Sequence, residues 1–123
     1  MTTDTLITGA EYLDSLRDGR AVYVDGDGVE DVTTHPAFRN AARPVARLYN
    51  ALHDPATSEV LTGVDPDTGI RTHRFFKPSP STTGLFRAGE AIATWARMSY
   101  GFLGCTPEYK AVLIHFLWSG RRE

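Results

Sequence analysis

The chain holds a single cysteine, no long apolar run and little charge imbalance, and each shortage closes off a class of protein. With Cys105 alone no internal disulfide can form, which excludes a disulfide-stapled secreted scaffold and suits a reducing cytoplasm. The longest apolar stretch, Ala111–Trp118, contains His115 and is far too short to cross a bilayer, so no membrane partner is expected. No basic segment followed by an apolar run opens the sequence. A signal peptide is therefore not expected, and the cytoplasm is the expected compartment. Net charge is −2, and the 13 basic residues read as scattered rather than striped, which argues against nucleic acid as a partner. His35, His53, His73 and His115 lack metal-ligand spacing and have no acidic cluster beside them. A glycine-rich phosphate loop, a nucleophile elbow and paired catalytic carboxylates are missing too. Gly26-Asp27-Gly28 reads as a turn, because no helix follows it.

What remains is 123 residues of ordinary composition, 41% apolar and 23% charged, without internal repeats. That is one domain's worth, residues 1–123, enough to bury roughly two-thirds of the unfolded surface. Hydrophobic periodicity predicts a mainly α fold with short β-hairpins. Thr8-Gly9-Ala10-Glu11 is a capping box for a first helix that buries Tyr12, Leu13 and Leu16 and stops at Gly19. Residues 21–24 and 29–32 form a hairpin around Asp25-Gly26-Asp27-Gly28. A second helix begins at Pro36, carries Phe38, Ala41/Ala42, Val45, Leu48/Tyr49 and Leu52 on one stripe, and ends at Asp54-Pro55. Pro44 falls within that stripe and is expected to kink it, at about 3 kcal/mol. Residues 60–62 and 70–76 read as extended, joined by the turn Asp65-Pro66-Asp67-Thr68-Gly69. A third helix over about 81–100 is expected to bury Leu85, Ile92, Trp95/Ala96 and Ser99, and a fourth opens at Thr106-Pro107 and ends at Gly120.

The glycine-bracketed loop between the third and fourth helices is where a side chain can be aimed into a pocket while the scaffold stays rigid. Cys105, just before a helix N-terminus, reads either as a reactive thiol or as an inert half-buried cysteine. Tyr109 reads either as a pocket hydroxyl or as a core aromatic with a wet tip. Trp95, Tyr100, Phe102 and Trp118 are most simply core. His35 and His73 are expected to make local hydrogen bonds.

Five blocks in this order carry a more specific signal: Thr8–Arg20 (TGAEYLDSLRDGR), Asp31–Ala42 (DVTTHPAFRNAA), Leu48–Pro55 (LYNALHDP), Thr72–Phe76 (THRFF) and Ala91–Gly101 (AIATWARMSYG). Together they closely resemble the N-terminal domain of the 4-hydroxyphenylacetate 3-hydroxylase family, over about residues 8–111. The resemblance implies an acyl-CoA-dehydrogenase-like architecture, of which this chain looks like the N-terminal helical domain. It also implies ortho-hydroxylation of a phenol with O2 and reduced FAD, the FAD coming from a separate flavin reductase. No cofactor is expected in this chain itself, because the flavin-contacting segments of the family lie in later domains.

Two departures bear on what can be carried over. The family's loop reads Gly-Arg-(Ser/Thr)-Pro-(Asp/Glu)-Tyr-Lys, where this chain has Gly104-Cys105-Thr106-Pro107-Glu108-Tyr109-Lys110. The resemblance implies that the family arginine and tyrosine bind the phenolic oxygen, so the substrate-binding stretch here is Cys105, Thr106, Pro107, Glu108 and Tyr109. Ionising a phenol at neutral pH takes about 3 pKa units, or roughly 4 kcal/mol. A guanidinium at contact distance in a partly dry site supplies a contribution of that order, and a neutral thiol does not. The second departure is residues 112–123, which do not resemble the family's continuation. The expectation is an N-terminal domain of a two-component phenol monooxygenase, inactive alone. The alternatives are a module that docks on a full-length homologue or self-associates, and a non-functional gene remnant.

Overall fold

A computed structural model describes residues 6–76, 79 and 81–101. Helix α1 (Gly9–Ser15) opens on the expected capping box. Thr8 Oγ1 accepts from the Glu11 N–H at 3.3 Å, and the Glu11 carboxylate accepts from the Thr8 N–H at 2.6 Å. The Thr8 N–H, with the Thr8 hydroxyl donating to the same carboxylate at 2.8 Å, holds the Glu11 carboxyl below its usual range. The chain then forms a hairpin of β1 (Val22–Val24) and β2 (Asp27–Val29). Val24 pairs with Asp27, so the loop is only Asp25-Gly26, with φ of 52° and 92°. Two consecutive left-handed residues make the tight turn whose twist matches a hairpin. Asp27-Gly28 therefore lies in the second strand, not in the turn as the sequence suggested.

Helix α2 (Arg39–Ala51) starts three residues later than expected, after bonded turns over 31–39. It runs through Pro44 without a break. The carbonyl that Pro44 cannot bond belongs to exposed Asn40, where water can replace the missing N–H. Next come α3 (Ser58–Leu61), β3 (Thr62–Val64), β4 (Arg71–His73) and a 3₁₀ turn (Arg74–Phe76). Residues 60–61 and 74–76 are thus helical rather than extended. Their apolar runs are too short for periodicity to separate a strand from a single helical turn. The β3–β4 connection follows the sequence closely: the Gly69 N–H donates to Asp65 O at 2.7 Å, the Asp67 N–H to Asp65 Oδ1 at 2.8 Å, and Gly69 takes φ 69°.

Helix α4 (Thr82–Met98) is capped by Ser81, whose Oγ accepts from the Gly84 N–H at 3.1 Å. Its inward face carries Gly84, Ala88, Ala91 and Trp95. Leu85, expected inside, is 62% exposed, and Ala96 is also on the outside. The stripe is rotated because the small residues let α4 approach its neighbours closely, with only Trp95 bulky. Leu48, Ala51, Leu52, Leu61, Ala91 and Trp95 form the core, with Leu6, Tyr49 and Met98 packed at its edge.

Polar ties orient the elements around this core. Arg74 donates to the carbonyl oxygens of Val60, Glu59 and Thr62 at 3.0, 2.7 and 2.6 Å, capping the end of α3. Arg17 bonds Asp31 at 3.1 Å and Thr33 at 3.0 Å, fixing the end of α1 to the approach of α2. The Thr33 hydroxyl and N–H, with Arg17, hold the Asp31 carboxyl below the usual carboxylate range.

Helices α1 and α2 meet where the Gly9 N–H donates to Asn50 Oδ1 at 2.8 Å and Tyr12 stacks on Tyr49 with ring centroids 5.0 Å apart. A Cβ on Gly9 would overlap the carbonyl oxygen of Ala46 and lie 2.8 Å from Asn50 Oδ1. Gly89, in the middle of α4, has nothing within 4 Å of the same position. Gly9→Ala is expected to destabilise the protein by about 1–3 kcal/mol through backbone overlap. Gly89→Ala is expected to stabilise it by about 0.5–1 kcal/mol through helix propensity. Urea denaturation of the two variants beside the parent checks both signs.

Candidate functional site

The end of α4 determines where the chain goes next. The Tyr100 N–H donates to Arg97 O at 3.3 Å and the Gly101 N–H to Ala96 O at 2.9 Å, the paired bonds of a Schellman cap. Tyr100 occupies the left-handed position that glycine normally takes, at φ 54°, and Gly101 follows at φ 68°. Tyr100 is 87% exposed, so the sequence reading of it as core is corrected. A side chain in that backbone region costs on the order of 1 kcal/mol. The expected substrate loop follows this cap in the sequence. Cys105, Thr106, Pro107, Glu108 and Tyr109 lie outside the described residues, as does the fourth helix.

Beside this exit, α2 and the last turn of α4 enclose a groove of about 590 Å3 lined by Arg43, Pro44, Arg47, Met98 and Tyr100. Arg39, Arg43 and Arg47 recur every four residues along the exposed side of α2. The basic residues are therefore striped here, contrary to the sequence reading. The i, i+4, i+8 spacing was the signal that could have found the row.

A second cavity, of about 270 Å3, lies between the β3–β4 hairpin and the start of α4, lined among others by Asp65, His73, Arg74, Thr83 and Arg87. His73 is buried on its floor, its ring edge-on to Trp95 and Phe76 at centroid distances of 5.4 and 5.1 Å. Burial pushes its pKa down to about 4, so it is neutral at physiological pH and behaves as a core ring. His35 makes the local bond expected of it, Nδ1 accepting from the Ala37 N–H at 3.2 Å. Among the described residues no group of three His, Cys, Asp or Glu is placed to hold a metal. Nor does any of their helices have the length and apolarity needed to cross a membrane.

Comparison with known proteins gives this scaffold a lineage. A family model described as "4-hydroxyphenylacetate 3-hydroxylase N terminal" matches residues 8–123. The chain belongs to the 4-hydroxyphenylacetate 3-hydroxylase family. The match extends past Ala111, where the resemblance read from the sequence stops. The pyoverdin chromophore biosynthetic protein PvcC of Pseudomonas aeruginosa is 54% identical over 117 residues, 95% of this chain and 23% of that protein. The 4-hydroxyphenylacetate 3-monooxygenase oxygenase component of Escherichia coli is 52% identical over 110 residues, 89% of this chain and 21% of that one. A crystal structure of such an oxygenase component, complexed with FAD and 4-hydroxyphenylacetate, superposes with a TM-score of 0.75 at 38% identity, over 84% of this chain and 21% of that one. The chain thus spans about a fifth of the length of these relatives. The described helices and hairpins are those of the family's N-terminal helical domain.

Neutral His73 sets a pH dependence for this 4-hydroxyphenylacetate 3-hydroxylase family domain. Its folded pKa lies below the ordinary 6.5, so the unfolded chain binds the extra proton first. Stability is fully present above about pH 6.5, falls as pH drops toward 4, and levels off below, with a total loss from this group of about 3 kcal/mol. Denaturant midpoints measured between pH 7.5 and pH 4 are expected to show this decline, and His73→Phe is expected to flatten it.

Proposed function

We propose that this chain is the N-terminal domain of a two-component, reduced-FAD-dependent phenol ortho-hydroxylase and carries no monooxygenase activity by itself. The observation that supports this reading is a family match over residues 8–123 in a chain about a fifth as long as its relatives. In this reading the Cys105–Tyr109 loop forms one wall of a phenol pocket, Tyr109 donates a hydrogen bond to the phenolic oxygen, and further polypeptide completes the site. Reduced FAD, supplied by a separate reductase, would provide the oxygen-activating chemistry. In this reading no step of the hydroxylation is assigned to the described residues. What the chain contributes is orientation, because the Schellman cap after α4 sets the direction in which the loop leaves a rigid helix. Purified protein given reduced FAD, O2 and 4-hydroxyphenylacetate is expected to yield no catechol product by chromatography, and oxidised FAD is expected not to titrate to a stoichiometric endpoint. Turnover, or saturable uptake of one flavin per chain, overturns the proposal.

The second reading is a module that docks on a full-length homologue. It is favoured by the outer face of α4, where Leu85 and Phe86 are 62% and 68% exposed side by side. Light scattering after size exclusion is expected to show co-elution with a full-length relative; a monodisperse monomer that ignores it sinks this reading.

A further inference from the structure

Among the described residues, packing does not explain the arginine row on α2. Arg39, Arg43 and Arg47 are exposed, and among the described residues none of them meets a carboxylate or bonds a carbonyl, whereas Arg17, Arg20 and Arg74 all do. Three like charges one helical turn apart repel one another, a standing cost that an exposed helix normally relieves with glutamate at the same spacing. Here the intervening positions on that side are Asn40 and Pro44, and neither neutralises anything. The groove with Pro44, Met98 and the Tyr100 ring on its walls runs beside the row.

From this juxtaposition we propose that the α2–α4 groove with Arg39, Arg43 and Arg47 is the docking surface for an acidic amphipathic helix of a partner protein. The three arginines span about 12 Å along α2, eight residues at 1.5 Å each, which is longer than a single carboxylate or phosphate can bridge. A facing helix has the same rise, so carboxylates at i, i+4 and i+8 fall opposite successive guanidinium groups in register. Each pair can be bidentate, the geometry in which arginine outperforms lysine. A leucine or phenylalanine on the adjoining stripe of that helix fits a groove of about 590 Å3 and covers Met98 and Tyr100. A nucleic acid could match the spacing but not the surroundings. The chain's net charge is −2, and Asp14, Asp18, Asp25, Asp27 and Glu30 crowd its other exposed elements, which an extended polyanion would have to pass. The inference goes beyond the proposed function and does not depend on it, since the row lies on described residues and needs no flavin.

The test uses the full 123-residue chain and a fluorescein-labelled synthetic helix with glutamates four residues apart and leucines on the next stripe. Fluorescence anisotropy is expected to show saturable binding that weakens as salt rises. The double variant Arg43→Glu with Arg47→Glu is expected to lose at least about tenfold in affinity and to regain it when the peptide's glutamates are exchanged for lysines. Tyr100→Ser is expected to weaken binding several-fold with the salt dependence unchanged, since it removes the groove wall and no charge. Circular dichroism of each variant confirms that the fold is intact. Absence of saturable binding, equal affinity of the parent and the charge-reversed variant, or tighter binding of a DNA oligonucleotide than of the acidic peptide overturns the proposal.

Discussion

The burial of Trp95 is the constraint from which the rest of the structure follows. An indole removes some 150–250 Å2 from water, roughly 4–6 kcal/mol, a large share of what so small a core can supply. Leu52 and Leu61 are the other large side chains wholly enclosed there, and Ala91 lets α4 come close enough for the indole to reach them. With only six residues in the central cluster, apolar packing fixes that α2 and α4 meet but does little to fix how the remaining elements are arranged. Hydrogen bonds do that work. Arg74 gathers three carbonyls at the end of α3, Arg17 ties α1 to Asp31 and Thr33, and the bare backbone of Gly9 lets α1 lie directly on α2.

The parts of this arrangement that the sequence made legible are those in which a local rule has no rival. The capping box at Thr8 and Glu11 and the Asp65–Gly69 turn each satisfy their own backbone groups within a few residues, so distant packing has no reason to overrule them. Residues 60–61 and 74–76 lacked such a rule. Their β-branched and aromatic side chains fit a strand as well as a single helical turn, and Arg74 decides the matter by reaching back fifteen residues. The face of α4 was misread for a related reason. Leu85 is strongly apolar yet faces out, while Gly84, whose bare Cα leaves room for Ser79, lies on the inner side with Ala88, and steric fit outranked hydrophobicity.

The functional surface was legible in part. Residue blocks sufficed to place the chain in its family, because a run such as LYNALHDP combines core, cap and turn positions that composition alone cannot mimic. The arginine row escaped because counting basic residues along a chain ignores the 3.6-residue period that brings Arg39, Arg43 and Arg47 onto one side of α2. Charge, like hydrophobicity, has to be read on the helix rather than on the line.

Tyr100 connects the scaffold to its exposed chemistry. A Schellman cap is cheapest with glycine at its left-handed position, and Gly101, the next residue, would have served had the helix ended one residue later. Extending α4 by one residue would rotate the position of its last side chain by about 100° and move the aromatic ring off the groove. The helix instead ends where the tyrosine must take the strained conformation, and that choice leaves the ring on the groove wall beside Arg43 and Arg47. The left-handed conformation is the one the cap requires, and it is held here at an exposed aromatic rather than at glycine. The left-handed turn that ends α4 thus also places the ring that completes the groove wall, and one local distortion serves both.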